Sequence, residues 1–140
     1  MNPPKTLRVT PQRRVILEEL RKVDTHPTAD ELYEMVRKRL PKVSLGTIYR
    51  NLDLLSSEGI IQKLQAGNSQ MRFDGNPKPH LHISCIHCGR VADVHSGPDT
   101  SSLCQNVQTD FTVLSCTILL HGICPECETE ERSLASFVSQ

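Results

Sequence analysis

The sequence predicts an α+β chain of two parts: an N-terminal winged helix-turn-helix domain, then a strand-rich half organised around a four-cysteine metal site. Three observations predict it. Three capped amphipathic segments and two short strand-like stretches fill residues 10–73. Two Cys-x-x-Cys pairs, Cys85/Cys88 and Cys124/Cys127, stand 35 residues apart. Finally, the net charge of zero is unevenly spread: residues 1–74 carry 13 Lys/Arg against 9 Asp/Glu, and residues 75–140 carry 3 against 7. A basic half joined to an acidic half suits a protein whose first half meets a polyanion.

Thr10 as N-cap with Pro11 at the first helical position opens the first helix, and Val15, Ile16, Leu20 and Val23 line its apolar face until His26-Pro27. Thr28-Ala-Asp-Glu31 is a capping box for a second helix with the stripe Leu32, Met35, Val36 and Leu40, stopped by Pro41. Ser44 caps a third helix in which Leu45, Ile48, Leu52 and Leu55 face the core, while Thr47, Tyr49, Arg50 and Asn51 are the polar groups expected on its exposed side. Glu58-Gly59 closes it, and the strands Ile60–Gln65 and Gln70–Phe73 follow around a Gly67-Asn68 turn. Such a domain reads a DNA major groove with its third helix. Tyr49 and Arg50 suit base or phosphate contact, and Arg13 and Lys5 suit the backbone.

Gly75-Asn-Pro-Lys-Pro79 reads as a stiff linker, giving a winged-helix DNA-binding domain over 1–76 and a metal-binding domain over 77–140. In the second half, strands are expected at His80–Cys85, Arg90–His95 and Phe111–His121, with helices at Asp99–Gln108 and Glu126–Val138. The segment 98–109 is poor in helix formers. Each Cys pair sets two thiolates on one tight turn, and two such turns complete the tetrahedral sulfur cage of a structural Zn²⁺. No apolar run approaches the roughly 18–20 residues of a membrane span, and the first residues have no apolar core of a signal peptide. A reducing, cytoplasmic setting is therefore expected, with all six Cys as thiols and the spare Cys104 and Cys116 as buried small hydrophobes.

Taken in order, Thr10-Pro-Gln-Arg13, His26-Pro-Thr-Ala-Asp30, Thr47-Ile-Tyr-Arg50, Arg72-Phe-Asp74, His80-Leu-His82, Cys85-x-x-Cys88-Gly89 and Cys124-x-x-Cys127 resemble the motifs of the ferric uptake regulator (Fur) family of repressors. The resemblance runs from about residue 7 to residue 127. It implies a homodimer with a C-terminal α/β dimerisation domain, and a structural zinc on Cys85, Cys88, Cys124 and Cys127. It further implies a regulatory metal held by His26, Asp74, His80, His82 and Asp93, and an AT-rich inverted repeat as the double-stranded DNA partner. Three imidazoles and two carboxylates suit Fe²⁺ or Mn²⁺.

Asp at position 93, where iron-sensing relatives often have Glu, resembles the peroxide-sensing branch. That branch implies Fe²⁺-catalysed oxidation of a ligand histidine, His26 or His80, and release of repression. Pro79, Leu81 and Cys116 stand where iron regulators often place a further His-rich site. An iron, manganese or zinc uptake regulator of the same family remains the alternative. Two other classes compete with a repressor. A metalloenzyme on His80, His82 and Asp93 lacks an accompanying base or nucleophile. A zinc-ribbon interaction module leaves the recognition-helix pattern and the charge division unexplained. The reading is therefore of a regulator with no catalytic residues.

Overall fold

Helix caps organise the N-terminal part of the computed structural model, which describes residues 7–65, 70–113, 116 and 118–138. Lys5, the Gly67-Asn68 turn and Leu114 lie outside the described residues. The chain divides into two units, Met1–Lys78 and Pro79–Gln140.

In the first unit, α1 (Pro11–Arg21) starts where the Thr10 side chain accepts a hydrogen bond from the Arg13 amide, satisfying one of the orphan donors of a helix start. It ends before the His26-Pro27 stop. The capping box is realised in α2 (Ala29–Val36): the Thr28 hydroxyl takes the Glu31 amide, and the Glu31 carboxylate takes the Thr28 amide. The Ser44 hydroxyl caps α3 (Leu45–Ser57) by accepting from the Thr47 amide. Beyond α3, Gly59 adopts φ 73, a left-handed conformation that glycine reaches without a Cβ penalty. Strands β1 (Gln62–Leu64) and β2 (Arg72–Asp74) pair antiparallel, Lys63 opposite Phe73, and form the wing.

Ile16, Leu20, Leu32, Val36, Ile48, Leu52, Leu55 and Phe73 form the buried core of this unit. Leu45, the first residue of α3, does not join it; it is 37% exposed.

In the second unit, β3 (His82–Cys85) is central: β4 (Val91–Asp93) pairs with it antiparallel and β5 (Leu119–Gly122) parallel, in the order β4-β3-β5. A short α4 (Thr100–Gln105), capped by Asp99, precedes β5, and α5 (Pro125–Val138) follows it. The expected strand Phe111–His121 is realised only at its C-terminal end; Phe111 is 84% exposed and Val113 lies outside the sheet. Among the described residues no helix is long and apolar enough to cross a membrane.

Ile48→Ala removes a fully buried side chain and is expected to lower the unfolding free energy by about 2–5 kcal/mol. Tyr49→Ala, one position along on the exposed side, should change it by less than about 0.5 kcal/mol. Urea unfolding followed by far-UV circular dichroism checks both.

Candidate functional site

Four groups of side chains carry chemistry, and each is described within its own unit. The first is the sulfur cluster. The β3–β4 turn brings Cys85 and Cys88 together, with the Gly89 amide donating to the Cys85 carbonyl and Gly89 at φ 77. Parallel pairing of β5 with β3 then delivers Cys124 and Cys127, the latter in the first turn of α5, to the same place. The four Sγ atoms lie within 4.8 Å of one another, and Cys88 Sγ is 3.8 Å from Cys124 Sγ. A tetrahedron with Zn–S bonds of about 2.3 Å has its sulfurs about 3.8 Å apart, so the cluster fits a structural zinc.

The electrostatics agree. The backbone amides of Cys88 and Cys124 point at the Cys85 sulfur and hold its thiol down to about 6. The neighbouring Cys124 sulfur and burial push Cys127 well above the ordinary thiol range. Four sulfurs this close cannot all ionise without a cation among them. Arg90 pairs with Glu126 at 3.2 Å, and His87 pairs with Glu131. His87 is exposed.

The second group lies on one face of the C-terminal sheet. His82 stands directly opposite Asp93 in the β3–β4 register, and His80 is two residues earlier, on the same side. Asp93 Oδ1 is 2.8 Å from His80 Nε2 and 3.3 Å from His82 Nε2, with the two rings 4.2 Å apart. Two imidazole nitrogens and a carboxylate oxygen converge without a sulfur, a donor set suited to Fe²⁺ or Mn²⁺.

A smaller set of the same kind sits in the N-terminal unit. His26 Nε2 is 3.3 Å from Asp74 Oδ2. His26 has φ 54, unusual for any residue but glycine and a mark of functional positions. It is held there by Arg72, whose Nη1 donates to the His26 carbonyl at 3.0 Å, and by the Phe73 amide donating to the Pro27 carbonyl. Asp74 divides its oxygens: Oδ1 accepts the Asn76 amide at 2.9 Å as a turn cap, leaving Oδ2 beside His26. Capping and ligation, which the sequence poses as alternatives for Asp74, are therefore compatible. Signals in the sequence for the left-handed His26 and for its anchor Arg72 are absent, because both arise from tertiary pairing of Thr28 with Arg72.

The fourth group is the exposed side of α3. Tyr49 is 43% exposed and Arg50 is exposed, its Nη2 donating to Thr47 Oγ1. Asn51 departs from the expected pattern. It is buried, accepts from Arg13 Nε at 2.9 Å and donates to the Thr47 carbonyl at 2.8 Å. It therefore positions Arg13 rather than presenting itself to a groove. Thr10, Gln12, Arg13, Thr47 and Arg50 line one open cleft between α1 and α3.

Comparison with known proteins follows these features closely. The Ferric uptake regulator family matches residues 4–121. Over 126 residues the chain is 40% identical to the peroxide-responsive repressor PerR of Staphylococcus epidermidis, covering 89% of this chain and 83% of that protein. The ferric uptake regulator of Helicobacter pylori, whose structure shows three functional metal binding sites, superposes with a TM-score of 0.71 at 26% identity, covering 87% of this chain and 83% of that one. The Campylobacter jejuni peroxide stress regulator superposes with a TM-score of 0.69 at 29% identity, covering 84% and 89%.

Cys124→Ser should abolish the tight binding of one zinc ion per chain and unfold the second unit, while the helices of the first remain. Elemental analysis combined with amide hydrogen exchange reads both. Retention of zinc with full exchange protection would sink the structural assignment.

Proposed function

The chain belongs to the ferric uptake regulator family, and from that premise we propose that it is a metal-dependent, DNA-binding transcriptional repressor that responds to hydrogen peroxide. The observation that carries this reading is the convergence of His80 and His82 on one oxygen of Asp93, a sulfur-free set distinct from the four-cysteine cluster. The name of the relatives at 40% identity supports the peroxide response.

In this reading Cys85, Cys88, Cys124 and Cys127 hold zinc permanently, and His80, His82 and Asp93, joined by His26 and Asp74, hold Fe²⁺ or Mn²⁺. An ion that drew ligands from both sets would link metal binding to DNA binding. Fe²⁺, when bound, supplies the reducing chemistry that turns hydrogen peroxide into an oxidant able to add one oxygen to an adjacent imidazole. His26 and His80 are the residues that take this oxygen. An oxidised ring is a poorer donor, so the remaining ligands lose their grip and repression ends.

Two copies associate through the C-terminal unit, so that each α3 enters a major groove of one half of an AT-rich inverted repeat. Tyr49 and Arg50 face the DNA, Thr47 orients Arg50, and Asn51 sets Arg13 toward the phosphates. A protein of this kind works in the cytoplasm. An iron, manganese or zinc uptake regulator is the second reading, favoured by the likeness to the Helicobacter pylori ferric uptake regulator.

Two experiments test the proposal. Protein loaded anaerobically with Fe²⁺ and given a low dose of peroxide should gain one oxygen on the peptides carrying His26 or His80, and Mn²⁺-loaded protein should not. Iron-loaded protein whose peptides stay unmodified is instead an uptake regulator. For DNA, Arg50→Ala should weaken binding to the inverted repeat and reduce the salt dependence by about one charge per chain. An unchanged salt slope in fluorescence anisotropy titrations would remove Arg50 from the interface.

A further inference from the structure

The two cysteines outside the zinc cluster are joined. Cys104, in the last turn of α4, and Cys116, three residues before β5, form a disulfide with their Cα atoms 5.8 Å apart. The expectation of buried, unpaired thiols is therefore wrong for this pair: Cys104 is half-buried and Cys116 is exposed. The structure distinguishes them from Cys85, Cys88, Cys124 and Cys127, which remain free of disulfides. No C-x-x-C spacing announces the pair. The short α4 and the early end of regular structure after Gln105 bring residues 12 apart in sequence to bonding distance.

We propose that Cys104 and Cys116 form a thiol–disulfide modification site, reactive toward peroxide without the regulatory metal. As a thiolate, one of the two attacks hydrogen peroxide, breaking the O–O bond, becoming a sulfenic acid and releasing hydroxide, which takes a proton to become water. The other, also as a thiolate, attacks the sulfenic sulfur. The S–S bond forms, the S–O bond breaks, and the departing hydroxide takes the second proton to leave as water. Two electrons pass from two sulfurs to one peroxide. A reducing dithiol, itself oxidised to a disulfide, returns the pair to thiols. The geometry suits both directions, since Cys116 is an exposed residue that oxidant and reductant can approach. It also places the site at a sensitive point. The ring closed by the bond carries exposed Val107, Phe111 and Val113 and ends at the approach to β5, an edge strand of the described sheet. Oxidation therefore ties the connection that feeds the sheet edge, and reduction frees it.

The test uses full-length protein with zinc in the four-cysteine cluster and Mn²⁺ in place of iron, so that iron-dependent histidine oxidation is silent. After reduction and exchange into reductant-free buffer, the protein is treated with hydrogen peroxide and alkylated, and the Cys104 and Cys116 peptides are quantified with and without dithiothreitol. Alkylation of both should fall about tenfold after peroxide and return on reduction, with zinc content unchanged. Amide exchange of residues 105–113 should be faster in the reduced form. In Cys104→Ser no intramolecular disulfide can form, and Cys116 should instead be trapped after peroxide as a sulfenic acid by dimedone. Full alkylation of both cysteines in the peroxide-treated protein, or their oxidation only with loss of zinc, overturns the proposal. Because iron is absent, failure here leaves the histidine reading intact, and failure of histidine oxidation in iron-loaded protein leaves this site intact.

Discussion

Four sulfurs held within 4.8 Å of one another are the constraint on which the second unit depends. The apolar core of the protein is drawn from residues 16–73. Beyond residue 78, the buried hydrophobic side chains among the described residues are Leu81, Cys85 and Val91, and one of those is a zinc-site cysteine. So small an apolar core does not hold a sheet of three short strands by itself. The sulfur cluster replaces it, joining the β3–β4 turn to the start of α5 and thereby fixing the parallel β3–β5 pairing. Because Zn²⁺ must neutralise thiolates that otherwise repel, its binding free energy is folding free energy for this unit.

The sulfur cage also frees the other face of the same sheet for a different task. Once the β3–β4 register is set, His82 and Asp93 have to face each other and His80 has to join them. The N-terminal unit reaches a comparable result by opposite means. There a well-packed helical core and the Thr28–Arg72 bridge hold His26 in a left-handed backbone conformation that its own residue type does not favour. Strain at His26 is stored against a hydrophobic core.

Legibility in the sequence follows the range of the interactions. Capping is local, so Thr10, Thr28 and Ser44 mark the helix starts directly. The winged-helix architecture follows from these starts and the apolar stripes. Cys-x-x-Cys spacing is local too, and the two pairs are readable as halves of one cluster because zinc chemistry demands four ligands. The burial of Asn51 is invisible in sequence, since its partner Arg13 is 38 residues away. The exposure of Leu45 and the shortness of β5 are likewise decided by what packs beside them rather than by their own composition. The Cys104–Cys116 bond is the extreme case: two residues without a motif, in a segment whose propensity is indistinct. The His/Asp ligand set is legible as residue types and spacing, whereas the division of Asp74 between turn and histidine is a matter of coordinates.

The long interval between the cysteine pairs has a consequence for the order in which the protein is made. The three helices and the wing are complete once residue 74 has left the ribosome, and all their partners, including those that join α1 to β2, lie within that stretch. The sheet of the second unit cannot close until Cys127 emerges, because β3 waits for a parallel strand that begins at Leu119. Until then Cys85 and Cys88 offer only half a cage, with two ligands for an ion that needs four. A nascent chain thus carries a finished N-terminal unit ahead of an unfinished one, and the second unit completes its fold only when zinc is captured. Scarcity of zinc during growth would therefore show as a population of chains with intact N-terminal units and open C-terminal ones, vulnerable to proteases at residues 79–127.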